Sequence, residues 1–83
     1  MKITIKYFAS IRESIGSGHE VLETQSSTLD ELKLELISKD DAHARALGQD
    51  QVVRVAMNQR VCDGHTPLVD GAEVAFFPPV TGG

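Results

Sequence analysis

The residues with the clearest chemical potential stand at the end of the chain, which reads Thr81-Gly82-Gly83. A terminal carboxylate is a poor electrophile, so it must be activated, for example as an acyl-adenylate, before its carbon can accept a new group. Because glycine has no Cβ, two glycines can thread a narrow channel and leave the terminal carbon unhindered. Two terminal glycines arise by chance with a probability of about 0.5%. The pattern predicts a reactive carboxylate on Gly83, with Gly82 providing access to it.

Two prolines, Pro78 and Pro79, stand at the base of this segment. Proline cannot donate a hydrogen bond to a β-ladder, so we expect the preceding strand to end there and the exit of the chain to be stiff. Residues 79–83 then reach at most about 17 Å, at ~3.3–3.6 Å per residue. We therefore predict a domain of residues 1–78 and a flexible tail of residues 79–83, in which Val80 and Thr81 join the prolines to the glycines.

The rest of the chain offers few groups for an active site. The histidines, His19, His43 and His65, lack the i, i+4 spacing of a helical metal site, so we expect them at the surface and expect no bound metal. The single cysteine, Cys62, fits a small core residue better than a nucleophile. The pair Asp40-Asp41 is expected to be solvated. The body of the domain thus shows no convincing catalytic constellation.

Composition narrows the class of protein. The 83 residues fit one small domain, and the net charge of −4 with scattered basic residues disfavours nucleic-acid binding. No apolar run approaches the ~20 residues of a transmembrane helix, and no signal peptide is evident. A single cysteine is typical of a cytoplasmic protein, so we expect a cytoplasmic location without membrane contact.

The elements that would position the tail follow from periodicity. Alternating or apolar runs predict strands at residues 2–8, 19–24, 52–58, 60–63 and 73–77. Capping-box spacing predicts two helix starts, one at Ser10 and one at Thr28, and Gly16 is a candidate left-handed cap of the first helix. The second and main helix should stop near Lys39, and residues 40–51 should form a loop with one or two helical turns. One long helix covering one face of a mixed sheet predicts a two-layer α+β domain.

Two aromatic residues interrupt the polar faces of their strands. Phe8 lies in alternation with Lys6, and Phe77 lies in alternation with Ala75 and Glu73. Exposed aromatic side chains near a projecting tail predict a docking patch for a partner. The alternative is that Phe8 merely closes the end of the core.

The chain resembles a known family in several segments. The family is the molybdopterin synthase sulfur-carrier (small) subunit, of the ubiquitin-like sulfur carriers. The segments are Phe76-Phe77-Pro78-Pro79-Val80-Thr81-Gly82-Gly83, the strand end Tyr7-Phe8-Ala9, and Val55-Ala56-Met57-Asn58. The likeness covers nearly the whole chain, and the tail is its most specific part.

The resemblance implies a β-grasp fold of about five strands, one main helix and short extra helices. It implies that an ATP-dependent enzyme adenylates Gly83, that the adenylate becomes a thiocarboxylate, and that its sulfur passes to cyclic pyranopterin monophosphate within molybdopterin synthase. ATP would be used by the activating enzyme, and no cofactor would be bound permanently. The partner would be the large synthase subunit, in a heterotetramer, docked on Phe8, Val61 and Phe77. Catalytic groups would belong to the partners.

Three alternatives stay open. A sulfur carrier for another pathway, such as thiazole synthesis, shares the fold and the Gly-Gly ending, although Phe-Phe-Pro-Pro-Val favours the molybdopterin branch. A ubiquitin-like modifier could join the same terminus to lysines of other proteins. A binding domain with an inert tail would carry out no chemistry at Gly83.

Overall fold

The computed structural model describes residues 1–48 and 50–79, so the predictions for Val80, Thr81, Gly82 and Gly83 lie outside the described residues. Within these residues, five strands and three helices follow one another. They are β1 (Lys2–Tyr7), α1 (Ala9–Ile15), β2 (His19–Glu23), α2 (Leu29–Ile37), α3 (Asp41–Leu47), β3 (Arg54–Met57), β4 (Arg60–Cys62) and β5 (Glu73–Phe77). In this part of the chain no helix is long and apolar enough to cross a bilayer.

All five strands form one mixed sheet with the order β2-β1-β5-β3-β4. The central strand β5 runs parallel to β1 and antiparallel to β3, and the two outer pairs are antiparallel. The chain crosses from β2 to β3 through α2 and α3, and the last strand enters the middle of the sheet. This arrangement confirms the predicted two-layer α+β domain. Residues 40–51 were predicted as a loop with one or two helical turns, and residues 41–47 of that segment form two turns of helix.

The helices cover one face of the sheet, here called the inner face. Every second residue of β1 points inward, so that Ile3, Ile5 and Tyr7 are buried, as the alternation predicts. The same face of β5 contributes Val74 and Phe76. The helical layer adds its own apolar side chains to this core, namely Ile11, Leu29, Leu32, Leu36, Ala46 and Leu47.

The helix starts differ from one another. Thr28 Oγ1 accepts a hydrogen bond from the backbone N–H of Glu31, which confirms the predicted cap of α2. The predicted cap at Ser10 is wrong, because α1 begins after Phe8, whose backbone carbonyl accepts the first hydrogen bonds of the helix and whose side chain makes none. Gly16 ends α1 with φ of 86°, in the left-handed conformation that glycine adopts without strain.

Candidate functional site

The exit of the chain from the sheet lies at the end of β5. Phe77 is paired with Arg54 on β3, and the carbonyl of Phe76 accepts a hydrogen bond from the backbone N–H of Phe8. The strand stops at Pro78, as predicted, because neither Pro78 nor Pro79 has an N–H to continue the ladder. A central strand flanked on both sides therefore holds the base of the tail in a fixed position.

The outer face of the sheet carries a row of apolar side chains beside this exit. Cross-strand partners share a face, and Val61 pairs with Ala56, which pairs in turn with Ala75. Phe77 lies two residues beyond Ala75 and so points to the same side. Phe8 keeps an extended backbone two residues after Lys6, the partner of Ala75, and also faces outward. We call Phe8, Ala56, Val61, Ala75 and Phe77 the outer strip.

Exposure differs within the outer strip. Val61 is 62% exposed and Phe8 is 47% exposed, whereas Phe77 is half-buried. The structure thus brings the three predicted docking residues onto one face, with Phe8 next to Phe77 at the exit and Val61 on the edge strand β4. Phe8 does not close the core, because nearly half of its surface faces solvent. A partner that contacts this face stays a prediction.

A small cleft lies on the helical side of the exit. It has a volume of about 100 Å³ and is lined by Ser10 and Ile11 of α1, by Arg45 and Ala46 of α3, and by Pro78. Small-molecule sites in proteins usually enclose about 300–1,000 Å³. The cleft is therefore too small for a nucleotide, and its relevance is that α3 forms a wall beside the base of the tail.

The remaining candidate residues separate into two groups. Cys62 is half-buried and packs against the core, as expected for a small apolar side chain. His19 and His65 are exposed, as predicted. The prediction for His43 is wrong, since this residue is 5% exposed and lies on the buried side of the first turn of α3. It could be buried because Asp40 and Glu20 supply a hydrogen-bond partner for each of its ring nitrogens.

His43 belongs to a connected set of polar side chains that we call the Glu20 network. Glu20 lies on β2 opposite Ile5, and therefore points to the inner face. Its Oε2 is 2.8 Å from Tyr7 Oη and 2.8 Å from His43 Nε2, while its Oε1 accepts from Lys39 Nζ. Asp40 Oδ1 is 2.7 Å from His43 Nδ1 and also accepts the His43 backbone N–H, which caps α3. Asp40 is therefore more than a solvated side chain, although half of it is exposed.

Protonation states in the network follow from competition between burial and hydrogen bonding. Desolvation opposes the charge on His43, but hydrogen bonds to Glu20 and Asp40 outweigh it, so the pKa of His43 is raised. Desolvation likewise opposes the charge on Glu20, and donors from Lys39, His43 and Tyr7 outweigh it, so the pKa of Glu20 is lowered.

Burial and hydrogen bonding also shift the pKa values of Asp40 and Tyr7, at the two ends of the network. The backbone N–H of His43, followed by its ring, lowers the pKa of Asp40. Burial, reinforced by the bond to Glu20, raises the pKa of the Tyr7 hydroxyl.

The sequence contained only a weak signal for this network. Glu20 falls on the inward side of β2, where Leu22 is the apolar neighbour, and Val21 is 53% exposed on the outer face. The two carboxylates bind opposite nitrogens of the His43 ring and do not converge on one point. In the described residues no group of three or more His, Cys, Asp or Glu side chains could hold a metal ion.

Comparison with known proteins relates this geometry to a family. The model of the ThiS family matches residues 5–83. The chain belongs to the ThiS family. The match covers nearly the whole chain and runs through the two terminal glycines.

The relatives of this ThiS-family chain support the resemblance stated above. The molybdopterin synthase sulfur carrier subunit of Escherichia coli (strain K12) is 38% identical over 81 residues, which cover 98% of the chain and 99% of the relative. Among solved structures, SAMP1 from Haloferax volcanii superposes with a TM-score of 0.80 at 26% identity, with both chains fully covered.

A second similar structure contains two different subunits. It is the complex of subunits 1 and 2 of the molybdopterin-converting factor from Helicobacter pylori 26695, with a TM-score of 0.71, 27% identity and full coverage of both compared chains. These likenesses, together with the mixed five-stranded sheet, confirm the ubiquitin-like β-grasp fold.

Proposed function

We propose that this ThiS-family protein is a sulfur carrier in molybdenum cofactor biosynthesis. The observation that carries the proposal is the family match through Gly83, together with 38% identity to a molybdopterin synthase sulfur carrier subunit along 98% of the chain. The described residues add a domain whose last strand ends beside an exposed apolar strip. On this basis the protein acts as a protein-bound substrate, and its partners supply the catalytic groups.

The chemistry takes place at the carboxylate of Gly83. One carboxylate oxygen attacks the α-phosphorus of ATP in the activating enzyme, which releases pyrophosphate and leaves an acyl-adenylate. Hydrosulfide released from a sulfur donor then attacks the activated carbon and expels AMP, which leaves a thiocarboxylate and a proton. The thiocarboxylate sulfur is transferred to cyclic pyranopterin monophosphate, and water restores the carboxylate. ATP is therefore a substrate of the activating enzyme, and this chain holds no cofactor permanently.

The tail and its base have separate roles in this cycle. Gly82 and Gly83 lack Cβ atoms and can enter a narrow channel, and Val80 and Thr81 provide length. Pro78 and Pro79 follow directly from the central strand β5, so the direction in which the chain leaves the sheet is set by the domain. A fixed exit reduces the conformational freedom that the tail loses when it enters a partner.

The outer strip is the proposed docking surface for the large synthase subunit. The similar chain from Helicobacter pylori was solved as a complex of subunits 1 and 2, which supports a partner of this kind. Phe8 and Val61 supply exposed apolar area, and Phe77 joins that area to the tail. Two carriers would flank a dimer of the large subunit in a heterotetramer, and the cycle would run in the cytoplasm.

Deletion of Gly83 tests the proposed function. We expect the deleted chain to keep its melting temperature, because the described elements end at Phe77, and to lose detectable sulfur transfer. Intact mass spectrometry after incubation with the activating enzyme, ATP and a sulfur donor should find one terminal oxygen replaced by sulfur in the full chain only. Exposed Leu34 on α2 provides a control, since Leu34→Ala should leave the modification unchanged. A deleted chain that still supported molybdopterin formation would contradict the proposal.

A second candidate, a ubiquitin-like protein modifier, is favoured by the likeness to SAMP1 of Haloferax volcanii, a protein of the type named small archaeal modifier protein in related structures. The same mass measurement separates the two functions. Isopeptide-linked adducts of Gly83 on lysines of other proteins would support a modifier, whereas a thiocarboxylate without adducts would support a carrier. An unmodified terminus would contradict both.

A further inference from the structure

The ring of His43 contacts a carboxylate oxygen at each of its two nitrogens. Nδ1 is 2.7 Å from Asp40 Oδ1, and Nε2 is 2.8 Å from Glu20 Oε2. An ionised carboxylate only accepts hydrogen bonds, and a neutral imidazole has a single N–H. Both contacts are therefore hydrogen bonds only when the ring carries two protons and a positive charge.

The two carboxylates belong to different parts of the fold. Glu20 lies on β2, the edge strand of the sheet, and Asp40 caps the first turn of α3. His43 itself lies in that first turn. The charged ring thus joins the edge of the sheet to the helical layer, and Lys39, in the α2–α3 connection, bonds the other oxygen of Glu20.

We propose that the Glu20 network is a proton-linked clamp, which holds the first turn of α3 and the α2–α3 connection on strand β2 while His43 is charged and loosens when the ring loses a proton. The proposal does not depend on sulfur carriage. A neutral ring donates to one carboxylate only, and its other nitrogen then presents a lone pair to an oxygen at hydrogen-bond distance. That contact must lengthen, because two acceptors repel one another.

The last turn of α3 is held by a second set of contacts, which are apolar and do not titrate. Ala46 and Leu47, in its last turn, are buried in the apolar core. Deprotonation should therefore free the first turn of α3 and leave the last turn in place. Because Arg45 and Ala46 line the cleft beside Pro78, the clamp lies one helical turn from the wall that borders the base of the tail.

The direction of the pH effect follows from the groups that face the ring. They are Tyr7 from β1, Glu20 from β2, and Lys39 and Asp40 from the α2–α3 connection. The folded protein holds the His43 proton more tightly than the unfolded chain does, so this stabilisation is complete below the ordinary histidine pKa of 6.5 and is lost as the pH rises through the folded-state pKa. At the acid end, the contributions of Glu20 and Asp40 are lost as the pH falls through their lowered pKa values.

The decisive experiment is a ¹⁵N NMR titration of the histidine rings in the unmodified protein, which requires no variant. We expect both nitrogens of His43 to carry protons at about pH 6 and one to lose its proton only above the ordinary value. Amide hydrogen exchange, corrected for intrinsic rates, should increase across residues 41–44 over the same pH range and remain constant across residues 32–36. A neutral His43 at pH 6, or exchange in 41–44 that does not follow the ring, would overturn the clamp.

Variants provide a second readout that a purely structural role would not give. The melting temperature of His43→Gln should fall furthest below that of the unmodified protein between about pH 5 and 6.5, and the deficit should shrink to roughly half or less well above that range. His65→Gln is the matched control, because His65 is exposed. A deficit that is the same at every pH would mean that His43 only fills space. If His43→Gln does not fold, Glu20→Gln should lower the pKa of His43, and an unchanged titration would contradict the proposal.

Discussion

Two regions of the sheet break the alternation of apolar and polar side chains, and they do so in opposite senses. In the outer strip, apolar Phe8 and Val61 stand on a face that is otherwise open to solvent. In the Glu20 network, a carboxylate stands on the face that packs against the helices. Within the described residues the buried side-chain polar atoms all have hydrogen-bond partners. The fold itself therefore supplies the partners of the Glu20 network. The apolar side chains of the outer strip are not covered in the same way, because Phe8 and Val61 remain 47% and 62% exposed.

The difference separates residues that serve folding from residues available for a partner. A buried carboxylate costs free energy unless it is hydrogen-bonded, and Glu20 has three donors around it. Apolar side chains left in water contribute little to the folded state, and their free energy is recovered when another surface covers them. Substitutions in the network should therefore change stability, and substitutions in the strip should change binding.

The largest effect is expected from Glu20→Ala. It leaves the Tyr7 hydroxyl and the His43 ring without their shared acceptor, so the free energy of unfolding should fall by about 2–4 kcal/mol in urea denaturation. Glu23→Ala is the control, since Glu23 lies on the same strand but is exposed. The distinction between the two regions fails if both variants lose the same stability, or if folded Glu20→Ala binds the large subunit more weakly.

The opposite result is expected from Phe8→Ala in the outer strip. Affinity for the large synthase subunit should fall by about 2 kcal/mol, roughly thirtyfold, as is typical of a central aromatic contact. The free energy of unfolding should change by less than about 1 kcal/mol. Calorimetric titration measures the affinity, with Leu34→Ala, which alters an exposed apolar side chain on α2, as the control. Equal affinities for both variants would exclude the strip as the docking surface.

The smallest effect is expected at the starts of the helices, which cover the inner face and leave the outer strip open. Thr28→Ala removes the side chain that caps α2 and should cost about 1 kcal/mol of unfolding free energy. Ser10→Ala should cost less than about 0.5 kcal/mol, because Ser10 lies inside α1 and caps nothing. Thermal denaturation of the pair tests whether sequence spacing or the observed start of the helix decides the effect.

Much of the fold could be predicted because its signals are local. The alternation in β1, the cap of α2 at Thr28 and the proline pair after β5 each depend on neighbouring residues. The start of α1 could not be predicted in this way. Ser10 and Glu13 have the spacing of a capping box, but Phe8 pairs with Phe76 on the central strand, and this long-range hydrogen bond sets where the helix begins.

The sequence by itself determined where the strands run, that the last strand must end at Pro78, and that the chain closes with two glycines whose lack of a Cβ suits a narrow channel. Only the tertiary structure decided which of the side chains that break the apolar–polar pattern contact one another. Glu20 and His43 are twenty-three residues apart in the chain and lie on β2 and α3, which are separated in sequence by α2. Their contact therefore forms only when α3 packs against the sheet. The reason is physical, since alternation along one strand reports which side chains face inward, whereas the partner of an inward carboxylate depends on packing between layers.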